Sequence, residues 1–167
     1  MNYILQTERL VLRKFTLHDT KFIIELLNSP GWIQYIGDRN IKTQEDANIY
    51  LQNGPLKSYE LNGYGLAMVQ LKHGTPIGMC GIIKRDNLEN PDIGFALLPQ
   101  YTGKGFAFEI ACATLAYARN ELNLTSIFAI TSPGNRRSIQ LLERLGFKFI
   151  REMVFPGNKQ LLHLYEV

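Results

Sequence analysis

The sequence predicts one domain of mixed α/β class: an α+β fold with about seven strands in a mixed, mostly antiparallel sheet and about four helices. Three observations predict it. Apolar patterns of period two and of helical period alternate along the 167 residues, with no repeat, low-complexity tract or linker between them. Three strand-like runs in the middle of the chain are joined by connections too short to hold a crossover helix, so they read as antiparallel neighbours. In the second half a strand leads into a helix twice, the order that parallel pairing needs.

The elements follow in order. Thr7 to Arg13 (TERLVLR) alternates and is rich in Leu and Val, as a half-buried strand should be. Thr16-x-x-Asp19 is a cap-like start to an amphipathic helix that runs through Asn28. Asn28-Ser29-Pro30-Gly31 breaks it before an aromatic segment with Trp32 and Tyr35. Thr43-x-x-Asp46 starts a second helix, whose expected end is Asn53-Gly54. Tyr64 to Leu71, Pro76 to Lys84 and Pro91 to Leu98 are the three strands, separated by His73-Gly74-Thr75 and by the polar stretch Arg85 to Asn90.

Pro99 to Ala107 (PQYTGKGFA) is a glycine turn leading into a helix whose apolar residues Phe106, Ile110, Ala113 and Tyr117 fall at helical spacing. After the strand Ser126 to Ile130, Asn135 to Leu145 forms a short helix with Ile139, Leu142 and Leu145 on one stripe. Gly146 is placed to end it in a left-handed conformation. Lys148 to Phe155 and Gln160 to Tyr165 flank Pro156-Gly157-Asn158-Lys159 as a closing hairpin.

Composition narrows the function classes. Hydrophobic residues make up 46% and charged residues 20%, ordinary globular usage that argues against disorder, a collagenous repeat or a coiled-coil rod. No run approaches the roughly 18 to 20 apolar residues of a membrane span, and Met1 to Arg13 carries Glu8, Arg9 and Arg13, so neither a signal peptide nor a membrane anchor is expected. Cys80 and Cys112 read as small buried hydrophobes rather than a disulfide pair, which suggests a reducing cytoplasm. Net charge is +3 without a Lys/Arg block, so no nucleic-acid or membrane partner is implied. The surplus lies after Leu97, with eight basic residues against five acidic, and a small polyanion would prefer that half.

The glycine turn carries the chemistry. A helix begins with backbone N–H groups that have no intrahelical partner, and its dipole places partial positive charge there, a natural cradle for phosphate. Gly103 and Gly105 let backbone approach closely, and Lys104 adds a donor. Glycines at such a turn also serve plain steric needs, and both readings stand on spacing alone. Two rival motifs fail: a P-loop needs Ser or Thr where Gly105 follows Lys104, and the dinucleotide fingerprint needs a third glycine where Phe108 stands.

The run Asp92 to Ala107 (DIGFALLPQYTGKGFA), followed by Asn135-Arg-Arg-Ser138 and Leu-Glu-Arg-Leu-Gly-Phe147, resembles the GNAT superfamily of acyl-CoA N-acyltransferases. The opening Thr7 to Arg13 and the helix start Gly-Phe-Ala-Phe-Glu109 are similar to the branch that contains the ribosomal-protein-alanine N-acetyltransferases. The resemblance implies a GNAT-like sheet whose fourth and fifth strands splay apart to admit the arm of acetyl-CoA (coenzyme A), used as co-substrate without a metal. It implies that pyrophosphate rests on the turn of Gln100, Tyr101, Thr102, Gly103, Lys104 and Gly105, with Phe106 and Ala107 also in the cofactor site. Backbone of Phe95, Ala96, Leu97 and Leu98 would position the thioester, and Asn135 would contact the cofactor's arm. Arg136 and Arg137, like Lys104, could meet its phosphates, with solvated surface charge as the alternative.

Transfer to an amine needs a neutral nucleophile and a proton for the departing thiolate. In much of the superfamily a tyrosine in the last helix gives that proton; here Leu142 holds its place, and the resemblance points instead to Ser138, with water as the other donor. Asp92 and Glu109 are the two carboxylates nearest the expected thioester and so candidate bases, although Glu109 also suits a helix N-terminus and Asp92 the start of a strand. Trp32, Tyr35 and Tyr64 are candidates for an acceptor pocket. His18, His73 and His163 have no metal-ligand spacing. The expected activity is acetyl transfer to a protein N-terminus or a small amine by a monomer or homodimer; a non-catalytic acyl-CoA sensor or subunit is the alternative.

Overall fold

The computed structural model describes residues 3–167; Met1 and Asn2, the first residues of the expected leaderless start, lie outside the described residues. Eight strands form a single sheet in the order β1-β2-β3-β4-β5-β6-β8-β7. They are β1 (Tyr3–Gln6), β2 (Leu10–Arg13), β3 (Leu66–Leu71), β4 (Pro76–Ile83), β5 (Asp92–Leu97), β6 (Phe128–Thr131), β7 (Lys148–Met153) and β8 (Leu162–Glu166). Every neighbouring pair is antiparallel except β5 and β6, which run parallel.

The extra strand comes from the TERLVLR run, expected as one strand. Thr7 turns the chain instead: its amide donates to the Leu10 carbonyl at 2.9 Å and its Oγ1 accepts from the Leu10 amide at 3.0 Å. This closed turn leaves Leu10–Arg13 to pair with Tyr3–Gln6. The expected fourth and fifth strands are therefore β5 and β6.

The first helix starts as expected, with a reciprocal Thr16–Asp19 capping box over a 3-10 turn that continues into α1 (Thr20–Leu27). Pro30, at the first position of α2 (Pro30–Tyr35), turns the aromatic segment into a short helix. The helix α3 (Gln44–Leu51), also capped reciprocally by Thr43 and Asp46, does not stop at Asn53-Gly54. A π turn, Gln52–Leu56, absorbs Pro55, which has no N–H to lose, and the helix continues as α4 (Lys57–Asn62) until Gly63 adopts φ +79°. With α5 (Phe106–Asn120) and α6 (Arg136–Arg144), five helical bodies result among the described residues, one more than expected.

Helices cover both sheet faces. Ala67, Val69, Cys80 and Ile82 pack with Ile110, Ala111 and Leu115 of α5 and Leu142 of α6, whereas Met68 and Met79 meet Phe22, Ile23, Trp32 and Leu51 on the other side. The buried face of α5 is Ile110, Ala111, Thr114, Leu115 and Ala118, one step round from the expected stripe. Apolar residues surround this helix, so periodicity does not choose its face. Cys112, expected in the core, is accordingly exposed. Cys80 is buried beside Thr114, and burial pushes its thiol up to about 12.

Asp19 ties the first helix to the sheet. Its carboxylate accepts from both Arg13 Nη atoms at 2.8 and 2.9 Å and from the Thr16 amide at 2.8 Å. Burial raises its pKa, but these bonds outweigh burial and hold it below the ordinary aspartate value. The pair therefore contributes stability above that value and loses it as pH falls through the depressed pKa. Asp19→Ala, which strands a buried guanidinium, is expected to cost about 3 kcal/mol in urea unfolding at pH 7. The difference from wild type should shrink below pH 4 (roughly).

Candidate active site

The parallel pair β5–β6 is joined at a single register position, Asp92 opposite Phe128, where the Phe128 amide donates to the Pro91 carbonyl at 2.8 Å. Beyond it the two strands part. On its other edge β5 is paired throughout with β4, and the Leu98 amide donates to the Ile77 carbonyl at 2.8 Å. Strand alternation therefore turns the backbone groups of Phe95 and Leu97 toward the gap, where β6 no longer meets them. A cleft of about 390 Å³ occupies the gap. Its walls come from β5, β6, the first turns of α6, the α2 segment and the loop between β7 and β8.

At the end of β5 lies the glycine turn. A 3-10 turn, Pro99–Tyr101, leads to Gly103 at φ +74° and Gly105 at φ +82°, left-handed conformations that glycine adopts without strain, and α5 begins at once. Among the described residues no acceptor receives the backbone amides of residues 103–107. Gln100, Thr102 and Lys104 are exposed around them, and Lys104 Nζ stands 5.6 Å from the centre of the half-buried Tyr101 ring. From α6, Arg137 Nη1 lies 3.5 Å from Thr102 Oγ1. Phe106 and Ala107 are half-buried in the first turn of α5, and the Leu98 side chain is buried against α1 and α3.

The turn is clamped from the far end of the sequence. Arg9 Nη1 donates to the Lys104 carbonyl at 3.0 Å, and the guanidinium stacks 4.4 Å from the centre of the Phe106 ring. Glu109 completes the clamp: its Oε1 accepts from Thr7 Oγ1 at 2.6 Å and the Arg9 amide at 3.0 Å, and its Oε2 from Arg9 Nε at 2.6 Å. Burial raises the Glu109 pKa, but these donors outweigh it and hold the carboxyl below the ordinary glutamate range. Glu109 is not part of the cleft lining, and a depressed carboxylate with both oxygens engaged is poorly suited to take a proton.

Asp92 has the opposite environment. It lines the cleft at the point where the strands part and is 1% exposed. Oδ1 accepts from Arg85 Nε at 2.8 Å, whereas Oδ2 has no hydrogen-bond partner among the described residues. Burial raises its pKa against the opposing pull of Arg85. Across the cleft Asn135 caps α6, its Oδ1 accepting from the Ser138 amide at 3.2 Å. Ser138 also lines the cleft, and its hydroxyl makes no hydrogen bond, not even to the preceding helical turn, among the described residues. Leu142 is buried in the same wall.

Of the aromatic candidates, Trp32 and Tyr35 line the cleft; Tyr64 does not, lying in a separate small recess with Tyr59, Thr114 and Tyr117. Ser132 Oγ donates to the Tyr35 carbonyl at 3.2 Å and accepts from Gln160 Nε2 at 2.8 Å, so the loop between β7 and β8 is strapped over α2. Sequence reasoning missed Arg39, Tyr50, Arg85 and Phe155, which line the cleft, and the Thr7–Arg9 clamp. For the clamp the signal was present in the TERL motif; for the others no local pattern marks them.

The family model described as acetyltransferase (GNAT) domain matches residues 9–148. An uncharacterized N-acetyltransferase of Bacillus subtilis, YnaD, is 27% identical over 156 residues, covering 92% of this chain and 89% of its own. The uncharacterized N-acetyltransferase p20 of Bacillus licheniformis is 31% identical over 146 residues, 86% of this chain and 82% of its own. Among solved structures, RimL, a ribosomal L7/L12 α-N-protein acetyltransferase in complex with coenzyme A, superposes with a TM-score of 0.83 at 16% identity over 99% of this chain and 97% of its own.

The clamp generates a test. Glu109→Gln keeps size but loses charge-assisted bonds to Thr7 and Arg9, and is expected to lower unfolding stability by about 2 kcal/mol. Coenzyme A affinity, measured by calorimetry, should fall with it because the turn loses its fixed geometry.

Proposed function

Because the chain belongs to the GNAT acetyltransferase family, we propose that it transfers an acetyl group from acetyl-CoA to a primary amine by direct attack within the β5–β6 cleft. The observation that carries this reading is the row of free backbone amides at residues 103–107, set at the mouth of a gap walled by unpaired strand backbone. Such amides at a helix N-terminus suit a diphosphate, and the Phe95 and Leu97 backbone suits an amide-bearing arm laid alongside β5. When bound, the co-substrate supplies the activated acyl group. Lys104 and Arg137 stand beside the turn for its remaining phosphate charge, and Asn135 Nδ2 is free to meet its arm.

Proton handling falls to Asp92 and Ser138. Asp92 Oδ2, buried and unpartnered among the described residues, accepts the proton of the amine, and burial, by raising its pKa, strengthens it as a base. The demand on it depends on the acceptor: an α-amine with a pKa of about 7.7 to 8.0 is roughly a tenth neutral at pH 7, whereas lysine near 10.4 is neutral in only a few parts per ten thousand. The free Ser138 hydroxyl donates to the departing thiolate, replacing the tyrosine that Leu142 excludes. These two groups favour catalysis over a silent binding module.

Thiol release from acetyl-CoA across a panel of peptides, polyamines and amino acids tests the reading, and release with none of them would contradict it. Asp92→Asn and Ser138→Ala should each lower kcat about 100-fold. Coenzyme A affinity should change less than twofold (about 0.4 kcal/mol). Activity of the wild type should rise with pH through the raised Asp92 pKa, and the Asn variant should lack that acid limb.

A further inference from the structure

Resting on the acetyl-transfer reading, we infer that the acceptor is an amine that also carries an anionic group, the nitrogen lodging at Asp92 and the anion at Arg39 in the same cleft. Three side chains with formal charge line the cleft: Asp92, Arg85 and Arg39. Arg85 is committed, with Nε on Asp92 Oδ1 at 2.8 Å and its guanidinium 5.7 Å from the centre of the Phe155 ring. Arg39 is exposed and makes no ion pair, hydrogen bond or ring contact among the described residues. The Asp92–Arg85 pair cancels, so Arg39 gives the lining a net positive charge.

The surplus cation shares one cleft with two unmatched polar groups. Arg39 and Arg85 line the same cleft as Tyr50, and both guanidiniums oppose the upward push of burial on its hydroxyl. Asp92 Oδ2 and Trp32 Nε1 are both buried in the cleft walls without partners, one acceptor and one donor, and leaving either unmatched costs free energy.

A zwitterion answers all three groups at once. Its nitrogen meets the Asp92 oxygen, its anion neutralises Arg39, and a carbonyl or carboxylate oxygen is available to the indole N–H. A simple alkylamine leaves Arg39 and Trp32 unmatched. A polyamine would carry a second ammonium toward two guanidiniums, which is repulsive. The shared chemistry fits an amino-acid metabolite and a protein N-terminus with an acidic residue.

The test uses full-length protein and acetyl-CoA with amines of one chain length that end in carboxylate, amide or ammonium. A second arm compares tripeptides whose first residue is Asp, Asn or Lys. Wild type is expected to favour carboxylate over amide by about tenfold in kcat/KM, with ammonium poorest. Arg39→Glu should erase or reverse that order and Arg39→Lys should largely keep it, with coenzyme A affinity unchanged in both. Binding of the same amines to the coenzyme A complex by calorimetry reads the charge order without turnover. Absence of thiol release in every arm would thus count against acetyl transfer, while the binding order alone decides the charge preference. Equal use of the three end groups, or a preference that survives Arg39→Glu, would overturn the inference. Response confined to tripeptides or to free amino acids supports it and identifies which source supplies the acceptor.

Discussion

Hydrogen bonding between β5 and β6 stops after Asp92 and Phe128, and the remaining architecture follows from how the chain tolerates that opening. Each backbone amide or carbonyl left unpaired in a protected gap costs on the order of 1 to 3 kcal/mol. Here the cost falls on Phe95 and Leu97, and the unbroken β4 pairing on the other edge holds β5 in place while one side stands open. The same opening brings Asp92 to its apex, where burial raises its pKa and leaves Oδ2 without a partner among the described residues.

A second device fixes the turn at the mouth of the opening. Free amides bind an anion well only if they already point at it, since reordering a loop during binding would consume the gain. Thr7, Arg9 and Glu109 supply that order from outside: one carboxylate takes three donors of the β1–β2 turn, and one guanidinium holds the Lys104 carbonyl and covers Phe106. Glu109 therefore acts as a positioning residue. The two carboxylates shift in opposite directions for different reasons: burial raises the Asp92 pKa against the pull of Arg85, whereas at Glu109 the donors from Thr7 and Arg9 outweigh burial.

Local rules read well where one stretch of chain decides its own shape. Both Thr-x-x-Asp capping boxes, the Gly103 and Gly105 turn, the Gly146 helix stop and the closing hairpin were legible because each is set within a few residues. The family motifs likewise placed Asp92, Asn135 and Ser138 on one cleft. What escaped was decided at a distance. Glu109 looked like a helix-start acid or a base, and only the β1–β2 turn about 100 residues away in sequence fixes its role. Asn53-Gly54 reads as a helix end, yet a π turn, Gln52–Leu56, carries the helix past it and absorbs Pro55. Arg39, Tyr50 and Arg85 stand in three different segments, and no spacing rule brings them together.

The central physical claim is that the amides of residues 103–107 form the diphosphate grip. Backbone amide NMR of isotope-labelled protein tests it most directly, by titration with coenzyme A and, separately, with pantetheine, which has the arm but no diphosphate. Large shifts of the Gly103, Lys104 and Gly105 amides with coenzyme A, absent with pantetheine, are expected. Saturable binding of coenzyme A that leaves those three signals unmoved would contradict the claim.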